Sequence, residues 1–210
     1  MCPCGFLLRM TEEARKEGLE IQAAFENEFY LLQKNREEIV GADSTVFAAT
    51  ASIDANLEVI NNVADALIIQ GIPVGEYYTE SGPGQQEISM RYTEALEVSD
   101  WQVVFRETVR AIAKRCCKQF AHRHYLTASF LPKIFAETSG NGCHLHLSLW
   151  RDAKNITPDS QGICGLSSVA RAFVAGILHY LFLRVVITTP SPNSYRPIRP
   201  LSQVQITPTG

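Results

Sequence analysis

Two histidines and a serine alternate with leucines in the segment GNGCHLHLSLW, residues 140–150. The polar residues are His144, His146 and Ser148. Because residues two apart in a β-strand point to the same face, this pattern predicts a strand with one imidazole-bearing face and one leucine face directed at the core. The glycines Gly140 and Gly142 permit a tight loop and a close approach of the backbone to a ligand. A half-exposed strand whose histidines contact only water would show the same pattern.

A pair of glutamates with the same spacing occurs in the segment FENEF. Glu26 and Glu28 would face the same side of a strand, where two like charges are unfavourable unless a cation or water lies between them. The alternative is a solvent-facing pair on a surface strand, but the neighbouring Phe25 and Phe29 indicate a buried segment. The pair is therefore a candidate for binding a cation.

Two further glutamates, Glu80 and Glu87, bracket a Gly-Pro-Gly turn in the segment ESGPGQQE. The turn can bring both ends of the segment near one point, although a surface loop with two solvated glutamates fits equally well. With the other glutamates and the histidines they make an oxygen-rich ligand set with an occasional imidazole, which suits Mg²⁺ or Mn²⁺ better than zinc. Two such ions can neutralise a nucleotide triphosphate and stabilise a transferring phosphoryl group. The sequence has no GxxxxGK[ST] loop, so a nucleotide would be held by metals, histidine and scattered side chains.

The composition limits the classes of protein. At 210 residues the chain has room for one domain or a large piece of one. Its 46% hydrophobic and 20% charged residues are typical of a soluble globular protein, and the net charge of -3 gives no indication of nucleic-acid binding. The longest apolar run, residues 172–183, is too short for a membrane span of about 20 residues.

The start of the sequence and its cysteines bear on the compartment. The segment MCPCGFLLRM lacks the basic region and the long apolar stretch of a secretory signal, which favours the cytoplasm. The 6 cysteines show neither a zinc spacing nor a clear disulfide framework, so we expect reduced thiols.

The elements that would position these residues can be placed from hydrophobic periodicity. We expect strands over residues 19–33, 125–130 and 143–150, and a turn followed by a strand within residues 82–92. We expect helices over residues 11–17 with Thr11 as N-cap, over 52–70, from Ser99 to about 120, and over 166–186. The last of these is apolar over most of its circumference, which predicts that it is buried.

Four motifs together resemble the catalytic domain of the glutamine synthetase family. Within that family, the chain resembles the glutamine-synthetase-like group more than the main metabolic enzymes. FENEFYL, ESGPGQQE, GNGCHLHLSLW and NSYRP occur in the family's order and approximate spacing, from about residue 18 to residue 199. The resemblance implies an α/β (α+β) fold, in which an incomplete curved antiparallel sheet is backed by three long helices and carries a metal site on its concave side. It divides the chain into a leader helix over 1–17, a partial catalytic domain over 18–200 and an irregular tail over 201–210.

The resemblance also implies a role for each candidate residue. Glu28, Glu80 and Glu87 match the ligands of a first metal, which positions the glutamate and the incoming amine. Glu26 and His144 match two ligands of a second metal beside the nucleotide phosphates. The remaining matches are His146 at the ATP phosphates, Ser148 at the nucleotide, and Gly140, Gly142 and Arg196 at the substrate glutamate.

The implied reaction joins a glutamate-like carboxylate to ammonia or to a larger amine. ATP phosphorylates the γ-carboxylate, and the amine then displaces phosphate and forms an amide. Two Mg²⁺ or Mn²⁺ ions would assist because two negative groups must approach each other. The resemblance further implies a ring-shaped homo-oligomer for a complete protein of this kind, with no nucleic-acid or membrane partner.

Several positions depart from the family's pattern. Gly75 and Tyr78 stand where the family has glutamate and histidine; Glu76 could substitute for the glutamate, but a phenol cannot act as an imidazole. Pro197 follows Arg196 where a substrate-binding arginine is expected. The family's N-terminal β-grasp domain, its glutamate flap, its ATP-binding arginines and its last metal-binding glutamate have no match in this sequence. We therefore expect little or no ligase activity from this chain alone, and the alternative is a catalytically silent relative that binds metal or nucleotide or has a structural role.

Overall fold

One long central strand organises the fold in the computed structural model, which describes residues 2–35, 37–44, 47–119 and 126–196. The strands are β1 (Glu20–Asn35), β2 (Glu38–Gly41), β3 (Val74–Thr79), β4 (Gln85–Met90), β5 (Thr93–Glu94), β6 (Thr127–Ser129), β7 (Cys143–Arg151) and β8 (Lys154–Asn155). All are antiparallel to their neighbours, and β1 pairs with β4 along one edge and with β7 along the other. The described residues thus form the expected curved antiparallel sheet, 8-stranded, with the central order β3-β4-β1-β7-β8.

Two long helices cover the apolar face of this sheet. The helices are α1 (Pro3–Lys16), α2 (Thr50–Ile69), α3 (Ala95–Gln119), α4 (Ser168–His179) and α5 (Leu181–Thr188), with short 3₁₀ turns at Ile163–Gly165 and Pro192–Tyr195. Phe29 of β1 and Ile88 of β4 belong to one core cluster with Val63 of α2 and Phe105 of α3. The rings of Phe29 and Phe105 meet edge to face with centroids 6.5 Å apart. Burial of this face against the helices fixes which side of each strand remains for the site.

Two helices begin earlier than their cap residues predict. Thr11 lies inside α1, where its hydroxyl donates to the Leu8 carbonyl at 2.8 Å. Ser99 lies inside α3 and donates to the Ala95 carbonyl at 2.7 Å. A serine or threonine hydroxyl inside a helix can donate its hydrogen bond to a backbone carbonyl of the preceding turn. Neither residue is therefore the N-cap of its helix. The proline at position 3 suits the first turn of α1, since its ring fixes a helical φ.

The prediction of one buried helix over 166–186 is wrong in two respects. The segment forms α4 and α5, which are bent by 68° at Tyr180. The side chains of α5 are exposed, with Phe182 at 88% and Ile187 at 77%, because no other described element packs over them. No single helix among the described residues has both the length and the apolar composition to cross a membrane, although α4 and α5 taken together reach them.

The leucine face of β7 is buried at Leu149 and partly buried at Leu147, which packs against the core cluster, but it is exposed at Leu145. Leu149 is 2% exposed, whereas Leu145 is 51% exposed, so the expectation that the whole face is buried is wrong at Leu145. The predicted strand over 125–130 corresponds to β6, and residue 125 lies outside the described residues. The predicted tail over 201–210 lies outside them as well.

Replacing Leu149 by valine should destabilise the protein by about 1 kcal/mol, because it removes one buried methylene and leaves a small cavity. The matched control is Leu145→Val on the same face of the same strand, which should change the free energy of unfolding by less than about 0.5 kcal/mol. Urea unfolding of both variants measures the difference. Equal effects at the two positions would contradict the assignment of Leu149, and not Leu145, to the core.

Candidate metal and nucleotide site

The register of the sheet brings distant charged residues onto one face. Glu26 of β1 lies opposite His144 of β7, and Glu28 lies opposite Glu87 of β4. Directly opposed residues of an antiparallel pair project to the same side, and residues two apart along one strand do so too. The four side chains therefore share the face that α2 and α3 leave free.

Glu26 lies between the two histidines of β7. Its Oε2 is 3.2 Å from Nδ1 of His144, and its Oε1 is 2.9 Å from Nε2 of His146. Oε2 of Glu87 is 4.0 Å from Nδ1 of His144. Glu26, Glu87 and His144 each offer one ligand atom, and these atoms lie within 4.8 Å of one another. Two ligands that share an ion at about 2.0–2.6 Å each are separated by less than about 5 Å, so the spacing suits a bound divalent cation.

Glu28 is held on the other side of this cluster. Its Oε2 accepts hydrogen bonds from the Gly142 N–H at 2.9 Å and from Nε2 of Gln85 at 2.7 Å. A Cβ atom at position 142 would lie 2.6 Å from Oε1 of Glu28, so only glycine allows this approach. The carbonyl of Gly140 accepts from the same Gln85 amide at 3.0 Å. The loop before β7 thus contacts the carboxylate cluster through its backbone.

Glu80 comes from the turn between β3 and β4. Its N–H donates to the Gln85 carbonyl at 2.9 Å, and the turn closes with the Gln85 N–H on the Gly82 carbonyl at 2.9 Å. Gly84 has a φ of +75°, which a side chain would strain, and a Cβ there would also lie 2.5 Å from the Leu31 carbonyl oxygen. The turn predicted from the Gly-Pro-Gly segment therefore depends on glycine both for its backbone and for its packing.

Burial and like charges raise the carboxylate pKa values at the site. Burial and then the charges of Glu26, Glu80 and Glu28 raise the pKa of Glu87 to about 7. Burial also raises the pKa of Glu28, which the Gly142 N–H opposes, and burial raises the pKa of Glu80. Clustered carboxylates of this kind bind either protons or cations. The carboxylates and the imidazole suit Mg²⁺ or Mn²⁺, so this donor set fits the metal that the resemblance implies.

Affinity for a divalent ion should rise as the pH increases through about 7, because Glu87 must lose its proton before it can bind a cation. A group of that pKa is mostly protonated at pH 6 and mostly ionised at pH 8, which predicts about tenfold tighter binding at pH 8. Titration with Mn²⁺, followed by electron paramagnetic resonance at both pH values, measures the change. An affinity independent of pH would contradict a role for Glu87 as a ligand.

A cavity lies beside His146 and Ser148. Its volume is about 320 Å³, and Tyr92 and Trp150 form part of its lining. The two aromatic rings are 5.9 Å apart with an interplanar angle of 31°, and Nε1 of Trp150 donates to the Ser148 hydroxyl at 2.9 Å. An aromatic-lined cavity next to a cation site can accept a planar ring whose charged end points at the cations.

Two positions at which the sequence departs from the family's pattern, Tyr78 and Arg196, lie at the margin of the site. Tyr78 pairs with Glu87 across β3 and β4, and its hydroxyl donates to Oε2 of Glu76 at 3.3 Å. The charge of Glu76 raises the pKa of Tyr78. Arg196 follows the last 3₁₀ turn and is exposed. Among the described residues it forms no ion pair with a site carboxylate, so the structure does not bring it to the cluster.

Three residues of the site were missed from the sequence. Gln85 and Trp150 could have been found from strand alternation, since each shares the parity of a predicted site residue on its own strand. Tyr92 has no such signal, because it lies between β4 and β5 and only the fold brings it to Trp150.

Comparison with known proteins identifies the family and agrees with the observed fold. The family model for the glutamine synthetase catalytic domain matches residues 1–208. Type-1 glutamine synthetase 1 of Dictyostelium discoideum is 34% identical over an alignment of 212 positions, and the match covers 95% of this chain and 41% of that protein. Gamma-glutamylpolyamine synthetase GlnA3 of Streptomyces coelicolor is 33% identical over an alignment of 193 positions, and the match covers 89% of this chain and 39% of that protein.

Solved structures give the same result. A GmaS/ADP complex superimposes with a TM-score of 0.83 at 28% identity, over 97% of this chain and 46% of that chain. This chain thus spans less than half the length of these relatives. Since the family model matches almost every residue and the fold agrees, the chain belongs to the glutamine synthetase catalytic-domain family.

Proposed function

We propose that this chain carries the metal- and nucleotide-binding part of an ATP-dependent carboxylate–amine ligase, which forms a γ-amide through a γ-glutamyl phosphate. The observation that carries the proposal is the convergence of Glu26, Glu87 and His144 from three strands to within 4.8 Å of one another. Glu87 is only 8% exposed and lies among like charges. Burying a carboxylate in this way is unfavourable unless a cation or a proton neutralises it, which supports a bound cation.

The residues of the cluster would divide their work between ions and substrate. Glu28, Glu80 and Glu87 would hold one divalent ion, and Glu26 and His144 would hold a second one beside it, since Oε2 of Glu87 lies 4.0 Å from Nδ1 of His144. When bound, Mg²⁺ or Mn²⁺ neutralises phosphate oxygens and stabilises the charge of a transferring phosphoryl group. His146 bonds to Glu26 in this structure and would also be within reach of the phosphates.

The nucleotide would bind along β7. Ser148, Tyr92 and Trp150 line the cavity beside His146, and an adenine ring would lie against the aromatic pair. The Gly140 carbonyl would accept a hydrogen bond from the α-amino group of the substrate glutamate, and Gly142 and Arg196 are further proposed substrate contacts. A complete protein would assemble as a homo-oligomer.

The amine could be ammonia or a larger one. The Streptomyces relative is called a gamma-glutamylpolyamine synthetase, which supports a larger amine. A second candidate function is that of a silent relative, which binds metal or nucleotide without turnover. Tyr78 at the position of a family histidine, and Pro197 in place of a substrate-binding arginine, favour this second candidate.

Mn²⁺ titration tests the proposal. The wild-type chain should bind Mn²⁺, His144→Ala should lose at least about tenfold in affinity, and the exposed His179→Ala on α4 should not change it. ATP should then bind more tightly in the presence of the metal. Absence of Mn²⁺ binding, or equal loss in both histidine variants, would refute the proposed site.

Incubation with ATP, Mg²⁺, glutamate and hydroxylamine tests turnover separately. We expect little or no hydroxamate from this chain alone, since it spans less than half the length of the relatives. Clear hydroxamate formation would contradict that expectation and would reject the silent candidate.

A further inference from the structure

A buried glutamine connects three segments around the carboxylate cluster. Gln85 is 1% exposed and lies at the start of β4, two residues before Glu87 on the same face of the sheet. We infer that Gln85 is a positioning residue that fixes Glu28 and the loop before β7, so that one oxygen of Glu28 stays free for a divalent ion. This inference rests on the proposed function and adds a residue to it.

The hydrogen bonds of Gln85 use its whole side-chain amide. Oε1 accepts from the Gly82 N–H at 2.9 Å, which ties the amide to the turn after β3. Nε2 donates to Oε2 of Glu28 at 2.7 Å and to the Gly140 carbonyl at 3.0 Å, and Oδ1 of Asn141 lies further away at 3.3 Å. An amide has two N–H donors, so the two shorter contacts account for both of them.

These contacts decide which oxygen of Glu28 is available. Oε2 already accepts two hydrogen bonds, one from Gln85 and one from the Gly142 N–H. Hydrogen bonds to a charged acceptor are short and strong, and together they fix the carboxylate's orientation. Oε1 is therefore the oxygen left for a cation. Outer hydrogen bonds of this kind typically change metal affinity by about 10- to 100-fold when they are removed.

The next residue provides a matched control. Gln86 is 0% exposed and equally buried, but it projects to the opposite face, where the Tyr77 hydroxyl donates to its Oε1. The register pairs Gln85 with Tyr30 and Gln86 with Phe29, so only Gln85 shares a face with Glu28. A change at Gln86 should disturb packing to a similar degree without touching the site.

Mn²⁺ affinity of the full 210-residue chain, measured by electron paramagnetic resonance, tests the inference. Gln85→Leu should weaken binding about 10- to 100-fold, and Gln86→Leu should leave the affinity of the folded protein unchanged. Gln85→Glu keeps the shape and the acceptor for Gly82 but replaces the donor to Glu28 by a negative charge. Charge alone would tighten cation binding in this variant, whereas loss of positioning would weaken it.

Each outcome decides the matter. Weaker binding in Gln85→Glu supports the inference, and equal or tighter binding overturns it even if Gln85→Leu fails to fold. In the wild-type protein the side-chain amide protons of Gln85 should exchange slowly and shift in NMR spectra when Mg²⁺ is added, and fast exchange with no shift would also overturn it. Absence of Mn²⁺ binding by the wild-type chain would instead reject the proposed function.

Discussion

Replacing Glu87 by glutamine should stabilise the metal-free protein at pH 8 and remove most of its affinity for divalent ions. The folded protein raises the pKa of Glu87 from 4.5 to about 7. Because the folded state binds this proton more tightly than the unfolded state, stability is lost as the pH rises from 4.5 through 7. At 1.36 kcal/mol for each pKa unit, the charge costs up to about 3 kcal/mol at pH 8. A neutral amide of the same shape avoids that cost.

The pH dependence of this effect distinguishes it from a change in packing. At pH 5 the carboxyl is largely protonated in the folded state, so Glu87→Gln should then have little effect on stability. Thermal unfolding at the two pH values measures this, with a Tm rise of about 2–4 °C for each kcal/mol in a chain of this size. Glu58→Gln on the exposed side of α2 is the control and should alter neither Tm nor Mn²⁺ affinity.

The outcome that would contradict this prediction is specific. If Glu87→Gln lowers the Tm at pH 8, Glu87 stabilises the fold and is not a ligand held against electrostatic repulsion. If it raises the Tm but keeps the Mn²⁺ affinity, the repulsion is present but Glu87 does not bind the ion. We expect the variant to have a higher Tm and a lower Mn²⁺ affinity. This combination is typical of a binding site whose residues destabilise the fold.

Strand alternation predicted which residues of this site share a face. The spacing of Glu26 and Glu28, and that of His144 and His146, correctly predicted that each pair shares a face. Alternation could not predict that Glu26 lies opposite His144, because that register joins residues 118 positions apart. Long-range pairing is set by the burial of one whole sheet face, which no local window contains.

The same limit explains what was missed or wrong. Gln85 and Gln86 look alike in the sequence, and only the pairing of β4 with β1 assigns one to the site and the other to the core. Serine is a residue type that often caps helices, which suggested a start at Ser99, but α3 starts at Ala95, directly after β5. The apolar composition of α5 predicted that this helix is buried, but its side chains are exposed. Burial depends on which elements pack against a helix, and composition alone does not determine this.

Replacing Gly142 by alanine should also weaken ion binding, by more than about tenfold, because the new methyl group would displace Glu28. The added Cβ would lie 2.6 Å from Oε1 and 3.3 Å from Cδ of that carboxylate. The carboxylate would have to move away, losing its bonds to the Gly142 N–H and to Gln85. Each buried bond of this kind contributes roughly 1–3 kcal/mol, so urea unfolding should show a loss of that order.

A glycine elsewhere gives the opposite sign. Gly176 lies in α4 with nothing within 4 Å of a Cβ, so Gly176→Ala should stabilise the protein by about 0.5–1 kcal/mol and leave Mn²⁺ affinity unchanged. A double-mutant cycle then shows whether alanine at position 142 acts through Glu28. In a Glu28→Ala background the methyl group meets no carboxylate, so the stability cost of Gly142→Ala should largely disappear. A cost that persists in that background would mean that the glycine serves the backbone of the loop and not the carboxylate.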